Sequence, residues 1–187
     1  MDLPWGDERS VQFITNVGLI TTDGPIGPNI MAAEWTHHVS YEPGVIAVCI
    51  HRSNKETAVN IRKTKEFGVS LASTRQSIMA SVAGGSKGHK TDKIKALQDL
   101  GFRFYKGKKI KALMVQGAAM TAECKLVKII EIGSHMIFFG EVLEAAADGQ
   151  EPLAYHKGRY WKLTEKIQKP SAEEKEKIDT VIKKHSK

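Results

Sequence analysis

Apolar residues follow two different spacings along the chain. The stretches "VQFITNVGLITT" (11–22), "GVIAVCIH" (44–51) and "FGVSLAS" (67–73) are short, rich in β-branched residues and bounded by Gly, Pro or charged clusters, which predicts strands. The first stops at "DGPIGPN" (23–29), a loop dense in Gly and Pro, and "NIMAAEWTHHVSYEPG" follows it. Helical signals lie between these runs. Ser53-x-x-Glu56 is a capping box before "KETAVNIRKTKEF", "TRQSIMASVAGG" predicts a helical turn or two breaking at Gly84 and Gly85, and "TDKIKALQDLG" predicts a short helix capped by Thr91 and ended by Gly101. From residue 112 the runs lengthen, and "ALMVQGAAMTAECKLVKIIEIG" and "HMIFFGEVLEAAA" flank "GSH" as a hairpin. At the end, Ser171 and Glu174 form a second capping box, with Ile178, Val181 and Ile182 on one face. That face predicts a terminal helix docked by a narrow apolar seam on its own barrel or on a partner subunit. Six or so strands with two or three short helices, and no regular alternation of the two, predict a mainly β antiparallel barrel, closed or partly open, rather than a doubly wound parallel sheet.

Composition changes this picture little. The 187 residues are 41% apolar and 26% charged, as in ordinary globular chains. No apolar stretch approaches the roughly 18 residues of a membrane span, and "MDLPWGDERS" lacks a secretory pattern, so a cytoplasmic chain is expected. Cys49 and Cys124 stand apart without ligand spacing, so no zinc or disulfide framework is expected; a core thiol is the first reading, with a redox or ligand-contact role the alternative for Cys49 beside the candidate site. The net charge of +7 draws heavily on "RFYKGKKIK" (103–111). Basic residues interleaved with aromatics occur in nucleic-acid binders, but the same stretch suits a solvated loop or a sheet edge guarded by lysines, and nucleic acid is the weaker reading.

The stretch carrying the most chemistry is "HRSNKETA" (51–58). A capped helix start presents free backbone N–H groups and a partial positive charge, and Arg52, Lys55 and Thr57 sit in the same turn. That combination makes a phosphate clamp without a P-loop. It equally serves a plain capped helix whose cations face water. No Gly-x-Gly-x-x-Gly or Gly-Lys-Ser/Thr pattern supports a dinucleotide fold or nucleotide hydrolysis.

The stretch "GPNIMAAEWTHHVSYEPGVIAVCIHRSNKETAVNIRKTKEFGVSLAS", followed in order by "GHKTDKIKALQDLGF", "GSHMIFFGEVLEA" and "PLAYHKGRYWKL", resembles the flavin reductase-like family of FMN-binding split barrels, which includes flavoredoxins and NAD(P)H:flavin oxidoreductases. The resemblance covers roughly residues 11–163 and implies one domain over 1–187, an FMN-binding split β-barrel with a C-terminal helical extension at 170–187. It implies that Met31, Ala32, Ala33, Glu34, Trp35 and Thr36 run along the flavin ring, with Ala32 and Ala33 allowing close approach and Trp35 a core or dimer residue rather than a ring stack. It implies that Cys49, Ile50, His51, Arg52, Ser53, Lys55 and Thr57 hold the ribityl chain and phosphate, and that Gly84, Gly85, Lys87 and His89 lie on a loop closing over the cofactor. His135 then lies near the flavin face, and Tyr155, His156, Arg159 and Tyr160 reach the same region, where a substrate docks. Many members have Ser where this chain has Glu34, and a carboxylate there disfavours the anionic reduced flavin.

The activity implied is an NAD(P)H-dependent flavin reductase, with NADH or NADPH as donor and a flavin, metal or protein as acceptor. The alternative is a flavoredoxin-like electron carrier served by a redox protein. A homodimer is implied, no metal is expected, and no general acid or nucleophile is assigned because the cofactor carries the chemistry.

Overall fold

The computed structural model describes residues 1–53 and 55–186, and the side chain of Lys55 lies outside the described residues. Seven antiparallel strands form the main sheet: β2 (Gly18–Thr22), β3 (Asn29–Ala33), β4 (Thr36–Tyr41), β5 (Gly44–His51), β6 (Glu66–Leu71), β9 (Met120–Ile132) and β10 (His135–Ala147), in the order β3-β2-β6-β9-β10-β5-β4. β1 (Thr15–Asn16), β11 (Ala154–His156) and β12 (Arg159–Trp161) make a small second sheet, and β7 (Phe104–Lys106) pairs with β8 (Leu113–Val115). The helices are α1 (Lys55–Thr64), α2 (Ser77–Gly85), α3 (Lys93–Asp99) and α4 (Ala172–Lys184).

The main sheet's two edges, β3 and β4, are consecutive in sequence and separated only by Glu34 and Trp35. A link that short holds Ala33 and Thr36 within about 11 Å. The sheet must therefore roll up, yet the edges share no ladder, so the barrel is split along a seam whose bridge is Glu34-Trp35. The bridge is pinned from both sides: the Cys49 N–H donates to the Trp35 carbonyl at 2.9 Å, and Thr36 Oγ1 donates to the Ala33 carbonyl at 3.0 Å.

Alternation along the strands builds two cores. Ile20, Met31, Phe67, Val69 and Phe138 point into the barrel, where Ala58 and Ile61 of α1 join them, while Leu19 and Ile30 point outward beneath Met79, Ala83 and Leu97 of α2 and α3. β2 is buried on both faces for this reason. Each fully buried Phe or Ile contributes about 2 kcal/mol of transfer free energy. Asn60 of α1 is buried and ties down the Gly/Pro loop: its Nδ2 donates to Thr22 Oγ1 and the Gly27 carbonyl, and its Oδ1 accepts from the Ile26 N–H.

Several expectations need correction. Residues 11–22 are not one strand, because a 3-10 turn at Ser10–Gln12 and the two-residue β1 precede β2. Asp92, not Thr91, caps α3, its carboxylate accepting from the Lys95 N–H at 3.0 Å. The capping box at Ser53 does not form: the Ser53 hydroxyl and N–H both engage His51 Nδ1, and the Glu56 carboxylate pairs with His89. The basic stretch at 103–111 is a sheet edge whose loop is tied to acids, the buried Glu123 carboxylate accepting from the N–H groups of Lys108, Lys109 and Ile110. α4 keeps its capping box but has no buried residue, so its apolar seam does not dock on its own barrel.

Candidate functional site

The barrel seam opens into a cleft of about 1000 Å³. Met31, Ala32, Ala33, Glu34 and Trp35 form its floor, Cys49 and His51 enter from β5, and His135 and Tyr155 enter from β10 and β11. Strand pairing explains this convergence, since His135 lies opposite His51 and Ile137 opposite Cys49, so alternate residues of two neighbouring strands share one face. Three rings meet there: Trp35 and His135 have centroids 4.6 Å apart, and His51 stands edge-on to His135 at 5.1 Å. The two-residue turn Gly133-Ser134, with Gly133 at φ +50°, brings the Ser134 hydroxyl to 2.8 Å from His135 Nδ1.

A second, polar pocket of about 30 Å³ shares Met31 and Ala32 with the cleft. Asn29, Glu56, Thr57, Ala83, Gly84, Ser86, Lys87, Gly88 and Lys93 complete it. Lys93 is only 4% exposed, and its ammonium donates to the Ala83 and Ser86 carbonyls at 3.2 and 3.4 Å. These carbonyls belong to the C-terminal end of α2 and the residue after it, where unpaired acceptors and the helix dipole favour a cation. An ammonium has three donors, so Lys93 retains one beyond these two bonds. Asn29 Nδ2 donates to Thr57 Oγ1 at 2.9 Å. Gly88 passes so close that a Cβ would lie 2.8 Å from Asn29 Oδ1, so the loop needs glycine there.

The two lobes differ electrostatically. Burial pushes the Lys93 ammonium down to about 8, with Glu56 opposing the shift and Lys87 adding to it. The Glu56 carboxyl is held low, first by its own backbone N–H and then by His89. At the cleft, burial raises the Glu34 carboxyl and the Cys49 thiol. Burial and then His51 lower His135, which keeps that imidazole neutral at pH 7. The Tyr155 hydroxyl is raised by burial, then by Glu34 and Tyr160.

Of the residues the sequence proposed, Met31 to Trp35, Cys49, His51, His135 and Tyr155 line the cleft, and Thr57, Gly84 and Lys87 line the polar pocket. His89 does not line that pocket but pairs with Glu56, which does. Other candidates lie elsewhere. The Ile50 side chain is in the barrel core, the Thr36 hydroxyl is spent on Ala33, and Gly85 is exposed beyond both pockets. Arg52 is on the surface, 3.8 Å from Glu131, while Ser53 is turned to His51. Arg159 is exposed, and Tyr160 packs behind Tyr155 at 5.5 Å. Lys55 lies outside the described residues as a side chain.

Sequence reasoning missed Lys93 and Asn29. The signal for Lys93 was its helical spacing, four residues before the buried Leu97 on the inward face of α3. It also missed residues 3–13, which form a further wall of the cleft. Among the described residues, no group of three or more His, Cys, Asp or Glu could hold a metal ion, and no helix is long and apolar enough to cross a membrane.

A split antiparallel barrel with a broad ring-lined slot at its seam and a narrow cationic pocket beside it defines a flavin-binding barrel protein. The chain belongs to the flavin reductase-like domain family, whose match spans residues 10–164. It is 29% identical over 133 residues to an uncharacterized protein of Archaeoglobus fulgidus, covering 68% of this chain and 73% of that one. It is 30% identical over 154 residues to the FMN reductase (NADH) RutF of Methylorubrum extorquens, covering 82% and 73% of the two. Among solved structures, BorF, the flavin reductase component of a bacterial two-component tryptophan halogenase, superposes with a TM-score of 0.71 at 27% identity, covering 86% of this chain and all of that one.

Proposed function

We propose that this protein is an NADH-dependent flavin reductase that binds FMN across its two lobes and works as a cytoplasmic homodimer, with one domain whose core is 11–163 and a helical extension at 170–187. The observation carrying this reading is the continuity of the lobes: one pair of residues, Met31 and Ala32, borders both the broad slot and the pocket holding a buried ammonium. A flat ring joined to a phosphate by a short polar chain has the same two-part demand. Met31, Ala32 and Ala33 would flank the ring, and Lys93, with Thr57 and the loop around Ser86 and Gly88, would hold the phosphate. A pocket of about 30 Å³ takes a water or two, so a phosphate requires the pocket to widen.

FMN held there would supply the redox chemistry, hydride acceptance from a nicotinamide and onward electron transfer. The protein's own work is orientation and charge control. His135, kept neutral and held by Ser134, offers an uncharged polar group beside the rings, and half-buried Glu34, its carboxyl raised by burial, tunes the charge at the seam. The NADH-dependent FMN reductase among the relatives supports the choice of donor. The edge strand β4, with Val39 and Tyr41 open to solvent, supports a subunit contact.

The test is steady-state NADH oxidation by the purified protein with FMN added. Turnover that requires both the protein and FMN is the expected result. A protein that neither holds FMN nor consumes NADH overturns the proposal.

A further inference from the structure

The family match begins at residue 10, yet a large part of the cleft's lining comes from before it and just after. Leu3, Pro4, Trp5 and Phe13 all border the cleft, and Trp5 and Phe13 are among the most exposed large apolar residues of the described chain, 80% and 70% exposed. Water-facing tryptophan is costly to leave uncovered, and an aromatic wall along a cleft has the shape of a ligand surface.

The segment is also ordered by its own bonds. The Arg9 guanidinium and the Arg9 N–H both donate to the Asp7 carboxylate, Arg9 Nη2 donates to the Asp2 carbonyl at 3.3 Å, and the Ser10 hydroxyl donates to the Pro4 and Asp7 carbonyls, each at 3.0 Å. These contacts fold residues 2–10 into a coil that leaves Trp5 exposed at the cleft. Downstream, Asn16 Nδ2 donates to the Thr36 carbonyl at 2.5 Å, which fastens β1 to the strand that begins at the seam. The coil is held by bonds within itself, and its Leu3, Pro4 and Trp5 border the cleft that also carries the ring-side residues.

We propose that this N-terminal coil is the donor-binding wall of the cleft, with Trp5 stacking on the nicotinamide ring of the reduced dinucleotide. The inference rests on the reductase reading above and adds the residue that seats the donor. A planar, weakly polar ring is the occupant because the coil offers aromatic and aliphatic surface, with Glu8 its one charged lining group. The Glu8 and Glu34 carboxylates repel an anionic partner from the same surface, so the dinucleotide phosphates must lie outside this wall.

The test compares full-length wild type with Trp5→Ala and Trp5→Phe, measuring KM for NADH, kcat, and the Kd of FMN by titration. Trp5 makes little burial, so all three proteins fold alike, checked by far-UV circular dichroism. Trp5→Ala is expected to raise KM for NADH about three- to tenfold, the loss of one aromatic stack, with the Kd of FMN unchanged and Trp5→Phe restoring most of the loss. An Arg9→Ala variant, which loosens the coil without touching Trp5, is expected to raise the same KM. Unchanged KM in Trp5→Ala, or an equal weakening of FMN and NADH, overturns the proposal. If wild type binds FMN but NADH does not reduce it, the reductase reading fails first and the donor wall with it. A normal wild type beside an unaffected Trp5→Ala sinks the wall alone.

Discussion

Lys93 is the residue where stability and ligand demand are opposed. Its ammonium is buried against α2 carbonyls and held down to about 8, from an ordinary 10.5. A lysine whose folded value is depressed binds its proton more weakly in the native state than in the unfolded chain. Stability therefore rises as pH climbs from about 8 toward 10.5, and the charged form is a cost below that window. A phosphate in the adjoining pocket reverses the preference by favouring the protonated form. FMN affinity should consequently decline as pH passes about 8 while riboflavin affinity stays level, which paired titrations across that range would reveal. Lys93→Met should weaken FMN by roughly tenfold or more, the loss of a charge-assisted hydrogen bond. It should leave riboflavin nearly untouched, abolish the pH dependence, and not lower the melting temperature. Equal losses for FMN and riboflavin would remove Lys93 from the phosphate site.

At the scale of elements, the sequence was most informative where periodicity was long and least where one polar side chain decided the outcome. The β9–β10 hairpin and the capped α4 were legible because their patterns run over many residues. The 11–22 stretch was misread because Phe13 and Ile14 look like strand positions, whereas in the fold they are exposed beside the N-terminal coil. The phosphate candidates at the α1 start were legible as chemistry, and of them Thr57 lines the polar pocket while Arg52 lies 3.8 Å from Glu131; the buried cation comes from a different helix. No local pattern encodes that choice; it depends on how α2 and α3 stack on β3. Two element-scale predictions follow from contacts that are present and contacts that are lacking. Asn60→Ala removes three hydrogen bonds to the 22–27 loop and should destabilise the fold by about 2–3 kcal/mol in urea denaturation, with unchanged far-UV dichroism at zero denaturant. Removing residues 170–187 should leave the denaturation midpoint unchanged at low protein concentration, since α4 buries nothing on its own barrel. A drop seen only at high concentration would identify a partner subunit as the surface that covers Ile178, Val181 and Ile182.

For the molecule as a whole, the decisive feature is topological. Rolling a seven-stranded antiparallel sheet until its edges are joined by Glu34-Trp35 leaves a seam that cannot close, and the cleft is that seam. The sequence carried the two halves of the site separately, "MAAEWT" and the stretch from Cys49 onward, and strand order brings them to one face. Relatives and solved neighbours of the same barrel agree with a flavin reductase assignment. The central claim is that this seam passes electrons from NADH to bound flavin without a second protein. The most direct measurement is the visible absorbance of the FMN-loaded protein under anaerobic conditions before and after adding one equivalent of NADH. Prompt loss of the yellow flavin absorbance, with stoichiometric NADH oxidation, is the predicted result. A flavin that stays oxidised with NADH and bleaches only when a reduced redox protein is supplied would contradict it.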